Sequence, residues 1–219
     1  MSKNVLIICE GKTERVFVTS LLSQYLPHID FHPFELGQCA GNRCGGGDIR
    51  YDRFKNDFAP VYRNPQYDLI TTFFDYYGLG NGWPEVEDYE DMRNKVEKLE
   101  EKTLECIKVD FPDLSDNLFI PFFILHEFEG LLFSDTEAMH TVLRRPKVLF
   151  DNVIEECGEP ELINNSPETA PSKRLINICG NYRKVVKGNR VARVTTIEKM
   201  RQECPHFNDW LTKLESLTD

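Results

Sequence analysis

Four carboxylates stand out because each follows directly on an apolar run of strand character. Glu10 closes the run Asn4-Val5-Leu6-Ile7-Ile8-Cys9, Asp75 closes Leu69 to Phe74, and Glu127 and Glu129 follow a run over 118–125. If those runs lie side by side in a parallel sheet, their acids gather at one edge and repel one another. A hard divalent cation relieves that repulsion, because Mg²⁺ takes oxygen ligands and keeps water for a substrate phosphate. The expected centre is therefore a Mg²⁺ or Mn²⁺ site with Glu10, Asp75, Glu127 and Glu129 as ligands. Each acid taken singly could equally cap the helix that follows it; it is their recurrence at successive strand ends that points to metal.

Cations supply the second half of such chemistry. Twelve acidic and five basic residues fall in 85–116, whereas nine basic and one acidic fall in 171–202, against an overall net charge of −10. The basic set is Lys173, Arg174, Arg183, Lys184, Lys187, Arg190, Arg193, Lys199 and Arg201. Such segregation lets an acidic chain present a local phosphate-binding surface, although solvated helix faces would produce the same count. Lys173 and Arg174 follow Pro171-Ser172 at an expected helix start, where two cations can meet a substrate phosphate. Lys12, Arg183, Lys184, Lys187 and Arg190 are the expected contacts to a nucleic-acid backbone.

Other chemistries find less support. Gly11-Lys12-Thr13 after a first strand looks like the end of a P-loop, but that motif needs a glycine five positions before Gly11, and position 6 is leucine. Gly-x-Ser-x-Gly is absent, so no nucleophile elbow is expected. His126-Glu127 is not completed to His-Glu-x-x-His. His28, His32, His140 and His206 stand apart and read as structural or surface residues. The seven cysteines include no Cys-x-x-Cys pair, and the nearest two, Cys39 and Cys44, are read as reduced thiols.

The elements that must position these groups follow from periodicity. Continuous branched apolar runs over 4–9 and 69–74 are strands buried on both faces, with a shorter strand over 31–36 and a fourth over 118–125. A helix follows Gly11 with Thr13 as its expected N-cap, a second spans about 49–63 behind Asp48, and a long amphipathic one spans 88–109. Residues 126–133 read as helix. Five glycines in 37–47 mark a loop. The alternation gives an α/β fold with a mostly parallel sheet of about four strands and helices on both faces. Residues 1–135 form the expected core and 136–219 a helical C-terminal extension packed on it. With 219 residues, 41% hydrophobic and 11% aromatic, the chain can bury a core without staples. No run approaches a membrane span, and the N-terminal apolar run is too short for a signal peptide, so a cytoplasmic protein without a membrane partner is expected.

The strings Glu10-Gly11-x-Thr13-Glu14, Asp75-Tyr76-Tyr77-Gly78, Leu125-His126-Glu127-Phe128-Glu129-x-Leu131-Leu132-Phe133-Ser134, Pro167-x-x-Ala170-Pro171-Ser172-Lys173-Arg174 and Cys204-Pro205-His206-Phe207-x-x-Trp210 together resemble a prokaryotic family of unknown function assigned to the TOPRIM superfamily. The resemblance covers nearly the whole chain. It implies a TOPRIM-like, Rossmann-like fold, with Glu10 as metal ligand or general acid/base and Asp75 as Mg²⁺ ligand. The second aspartate of the family's Asp-x-Asp is replaced here by Tyr77, which leaves Glu127 or Glu129 to supply the missing carboxylate. It also implies a neighbouring AAA- or SMC-like ATPase and a role in anti-phage defence. The expected function is Mg²⁺-dependent phosphodiester hydrolysis on DNA or RNA, with Glu10, Lys173 and Arg174 catalytic. Two rivals stand beside it: a non-catalytic subunit of an ATPase, docking through the acidic helix, and a phosphatase or nucleotide-processing enzyme acting on a small substrate.

Overall fold

A computed structural model describes residues 2–37, 49–89, 91–163 and 168–218. The glycine-rich loop from residue 38 on, with Cys39 and Cys44, and also Asp48 and Pro167, lie outside the described residues.

The sheet has five strands, all paired in parallel: β1 (Lys3–Cys9), β2 (Ile29–Glu35), β3 (Leu69–Asp75), β4 (Phe119–Ile120) and β5 (Phe123–Ile124). Their order is β2-β1-β3-β4, with β5 continuing the pairing along β3. The expected single strand over 118–125 is thus two short ones. Pro121 lies between them and has no N–H to give the ladder. Thr72 of β3 bridges the gap with its side chain: its hydroxyl donates to the Phe122 carbonyl and accepts from the Phe122 N–H, both at 2.8 Å. Pro33 in β2 is tolerated because that strand is an edge.

The chain leaves β1 through α1 (Lys12–Phe17), a π-helical turn (Val18–Leu22) and α2 (Ser23–Tyr25) toward β2. It returns through α3 (Tyr51–Phe58) to β3 on the other side of β1 and leaves β3 through α4 (Met92–Asp110) toward β4. Successive connections therefore depart in opposite directions from the adjacent strands β1 and β3. The crevice beyond their carboxyl ends is the switch point where α/β sheets bind ligands.

Alternation along β1 separates two cores. Val5, Ile7 and Cys9 pack with Phe17, Phe73, Phe128, Phe207 and Trp210 on one face. Leu6 and Ile8 pack with Phe54, Phe58, Phe74, Val96 and Leu99 on the other. The first face carries the helical part of the chain: α5 (Phe128–Leu132), α6 (Thr136–Leu143), α7 (Val148–Cys157), α8 (Pro171–Cys179), α9 (Asn189–Thr195), α10 (Ile197–Glu203) and α11 (Pro205–Glu215). On α11 the indole N–H of Trp210 donates to Thr71 Oγ1 of β3 at 3.0 Å, so even the polar atom of this buried ring is satisfied. No helix of the described residues is long and apolar enough to cross a membrane.

Several element boundaries differ from expectation: α4 starts at Met92 instead of at 88, behind Asp91, whose side chain accepts from the Arg93 N–H, and three other differences have an equally local reason. Helix α1 is capped by Gly11, in extended backbone, instead of Thr13. Glu14, at the third helical position, reaches back to accept from the Gly11 N–H at 3.1 Å, which moves the start toward the strand. Helix α3 begins at Tyr51 because Ile49 is taken by a parallel bridge to Leu79. Helix α5 begins only at Phe128, since His126 has φ 65° and Glu127 is extended.

Candidate functional site

The carboxyl ends of β1, β3 and β5 deliver their acids to one crevice. Glu10 follows β1, and its Oε2 accepts weakly from the Asp75 N–H at 3.4 Å. Asp75 ends β3, and its Oδ1 accepts from the first amide of α5, that of Phe128, at 2.7 Å. Its Oδ2 lies 3.1 Å from the Lys184 ammonium. Glu129, on α5 and fully buried, places Oε2 at 3.1 Å from the same ammonium, although that oxygen lacks good hydrogen-bond geometry. Its Oε1 accepts from the Tyr182 hydroxyl at 3.3 Å. One lysine from distant sequence therefore bridges two strand-end carboxylates. It is carried by a π-helical turn (Lys184–Gly188), a distortion that recurs at functional sites.

Glu127 is held separately. The Ser172 backbone N–H and hydroxyl both donate to it, at 2.7 and 2.9 Å, at the start of α8. Glu14, buried on α1, joins the electrostatic cluster from the other side.

The charge balance shows in proton affinity. Burial, then the nearby Asp75, push Glu10 up to about 7. The same two causes push Glu14 up to about 8. Burial pushes Glu129 up to about 8 against the attraction of Lys184. Burial by itself would pull the Lys184 ammonium down, but Asp75, Glu129 and Glu14 outweigh it and hold it above the usual lysine range. Burial, then Glu129, raise the Tyr182 hydroxyl. His126, buried beside the crevice, is pushed down to about 4 and is neutral at physiological pH.

Five carboxyl groups around, among the described residues, one ammonium make the crevice hard and oxygen-rich, which is the donor chemistry that suits Mg²⁺ or Mn²⁺. Among the described residues no three His, Cys, Asp or Glu side chains converge as a ready ligand cage. Lys184 stands between Asp75 and Glu129, where a cation would otherwise balance them. The donor chemistry fits a divalent ion, with the ammonium as the competing charge.

Of the residues expected from the sequence, Glu10, Asp75 and Glu129 meet around Lys184, and Glu127 joins the rim through Ser172. Arg174 is committed elsewhere: its guanidinium pairs with both oxygens of Glu156, at 2.8 and 2.9 Å, and donates to the Thr169 carbonyl. Lys173 is exposed on the first turn of α8. Lys12, Arg183 and Arg190 are exposed, and Lys187 donates to the Asn181 carbonyl. The basic run is also less free than its count implies. Arg174, Lys184, Lys199 and Arg201 are spent on ion pairs, the last with Glu215. Lys173, Arg183, Lys187, Arg190 and Arg193 make no ion pair among the described residues.

Glu14 and Tyr182 join the site without having been expected there, and Lys184, expected at the nucleic-acid backbone, enters the crevice instead. Glu14 carried a signal, since it lies four residues after Glu10 at a helix start. Tyr182 and Lys184 carried none, because only the fold of α8 and the following turn brings them to the crevice.

No curated protein and no solved structure matches this chain. The profile of a domain of unknown function (DUF4276) matches residues 9–215, and the chain belongs to that family.

Proposed function

We propose that the protein is a Mg²⁺- or Mn²⁺-dependent phosphodiesterase acting on nucleic acid, with the TOPRIM-like character that its motifs resemble. The observation that carries this reading is the meeting of Glu10, Asp75 and Glu129 at the switch-point crevice, where burial first, and the neighbouring Asp75 after it, raise the proton affinities of Glu10 and Glu129. Asp75 and Glu129 would hold the ion together with Glu10 or Glu127. Bound there, it would polarise a phosphate oxygen and lower the pKa of a water. Glu10, with its affinity near neutrality, is suited to accept a proton from an attacking water and return it to the leaving oxygen. Lys184 is suited to neutralise charge building on the phosphate once its carboxylates turn to metal. Lys173, exposed on the first turn of α8 and close in sequence to Ser172, which holds Glu127, can meet the flanking phosphate.

Calorimetric titration with Mg²⁺ and Mn²⁺, on wild type and on Glu10→Gln and Asp75→Asn, tests the site. Plasmid nicking, oligonucleotide cleavage and nucleotide hydrolysis on the same samples test the reaction. Binding lost in both variants together with loss of polymer cleavage supports the reading. Hydrolysis of nucleotides without polymer cleavage transfers it to the small-substrate alternative. No binding at millimolar metal with nucleic acid present refutes it for the lone chain.

A second reading draws on one specific observation. Because Lys184 already occupies the space between Asp75 and Glu129, 3.1 Å from each, the isolated chain can rest without metal as a silent subunit. An ATPase partner of the AAA or SMC-like type, as in anti-phage systems, would then have to withdraw that lysine. Activity that appears only in the mixture distinguishes this case.

A further inference from the structure

Next to the carboxylates stands an aromatic ring that the proposed chemistry does not use. Tyr77 follows Asp75 by two residues and is 42% exposed, whereas the core of this protein buries its large aromatics almost completely. It lies in the 3-10 turn Tyr76–Gly78, and this turn is fixed to the site at both ends. Asp75 precedes it, and Gly78 packs so closely on Glu10 that an added Cβ would stand 2.5 Å from Oε2.

The ring also has a partner. The His126 imidazole packs against it in a tilted arrangement, with centroids 5.3 Å apart and planes 32° from parallel. The Tyr77 N–H donates to the His126 carbonyl at 3.1 Å. His126 makes both contacts at a φ of 65°, a conformation that non-glycine residues seldom adopt and that folded proteins retain where surrounding contacts enforce it. A strained residue thus holds an exposed aromatic ring in a set orientation at the mouth of an acidic crevice. Beside it opens a cavity of about 420 Å³, lined among others by Tyr76, Tyr77, Trp83 and Lys95.

We propose that Tyr77, backed by His126, is a stacking platform for an unpaired nucleobase next to the scissile phosphate, so that the substrate class is single-stranded or locally unpaired nucleic acid. The proposal rests on the phosphodiesterase reading for its substrate chemistry. Every base offers a π-face, so such a platform binds without sequence preference. In duplex the faces are already stacked on their neighbours, so a paired base would first have to be extruded at a cost of a few kcal/mol.

The test is fluorescence anisotropy on the full chain in EDTA, where no hydrolysis can occur. The probes are a labelled single strand, a duplex of the same length, and the same single strand with abasic sites. Tyr77→Ala should weaken binding of the single strand roughly tenfold, within the range that one base–aromatic stack contributes. Tyr77→Phe should stay within about twofold of wild type. The abasic strand should bind wild type as weakly as the ordinary strand binds Tyr77→Ala, and Tyr77→Ala should not distinguish the two strands. Unchanged binding by Tyr77→Ala, an equal abasic penalty in both proteins, tighter binding of duplex, or no binding by wild type would each overturn the proposal. The two readings fail separately. Tyr77-dependent binding without metal-dependent cleavage removes the catalytic reading alone, and cleavage without Tyr77 dependence removes the base platform alone.

Discussion

Replacing Lys184 with methionine removes the cation that, among the described residues, stands between Asp75 and Glu129, while keeping the unbranched side chain up to its last atom. At 3.1 Å from each of Asp75 Oδ2 and Glu129 Oε2, each pair is worth about 5 kcal/mol of gross Coulomb energy at an effective dielectric of about 20. Desolvation cancels much of that, and deleting one partner of a buried pair typically costs about 3–5 kcal/mol. The Lys184 side chain is 37% exposed, so solvent screening brings the expectation down to about 2–3 kcal/mol. The loss should depend on pH in a definite sense. Glu10, Glu14 and Glu129 are raised from 4.5 to about 7, 8 and 8. Between those limits the folded protein holds protons that the unfolded chain has released. Stability therefore falls as pH rises, by up to about 1.4 kcal/mol per pH unit for each such proton. Without the ammonium these groups hold their protons more tightly still. At pH 6 they are largely neutral and the variant should lose only about 1 kcal/mol; at pH 8.5 it should lose the full amount. Urea unfolding followed by tryptophan fluorescence in EDTA measures both. Adding Mn²⁺ at pH 8.5 should then stabilise the variant more than wild type, by about 1.4 kcal/mol at ten times its dissociation constant. An equal loss at both pH values, a larger loss in acid, or no differential response to Mn²⁺ would refute the account of Lys184 as a stand-in for a cation.

Gly78→Ala should displace the Glu10 carboxylate, which the new Cβ would meet at 2.5 Å. Because the obstructed group is the end of a flexible side chain, stability should change by only about 1 kcal/mol, while calorimetry should show metal affinity down at least about tenfold. Glu161→Gln should cost about 1–2 kcal/mol in urea unfolding, since Glu161 accepts from the His206 and Phe207 amides at the start of α11, at 3.0 and 2.9 Å. Single-strand affinity, measured against salt, should fall with a logarithmic slope of about −3.5, set by the five cations of 171–202 that make no ion pair among the described residues, against about −6 if all nine touched phosphate.

Elements whose signal is local were legible along the chain. The branched apolar runs of β1 and β3 emerge at their expected places because strands buried on both faces need such residues throughout. The amphipathic stripe Val96, Leu99, Thr103 and Ile107 is the buried side of α4. The acids at the strand ends were legible for the same reason: a strand that stops at a charge marks the edge of a sheet. Boundaries were less legible wherever a distant contact competed with local preference, as with Ile49 drawn into a bridge by Leu79 or β4 and β5 parted at Pro121 and sutured by Thr72. Tertiary structure alone decided which cation answers the carboxylates. Among nine basic residues in one run, nothing local separates Lys184, which enters the crevice, from Arg174, which turns to Glu156. That choice depends on how the helical part of the chain packs across the sheet, over 109 residues of separation between Asp75 and Lys184. Charge pattern is a local property of the chain, whereas the neutralisation of a buried charge is a property of the fold.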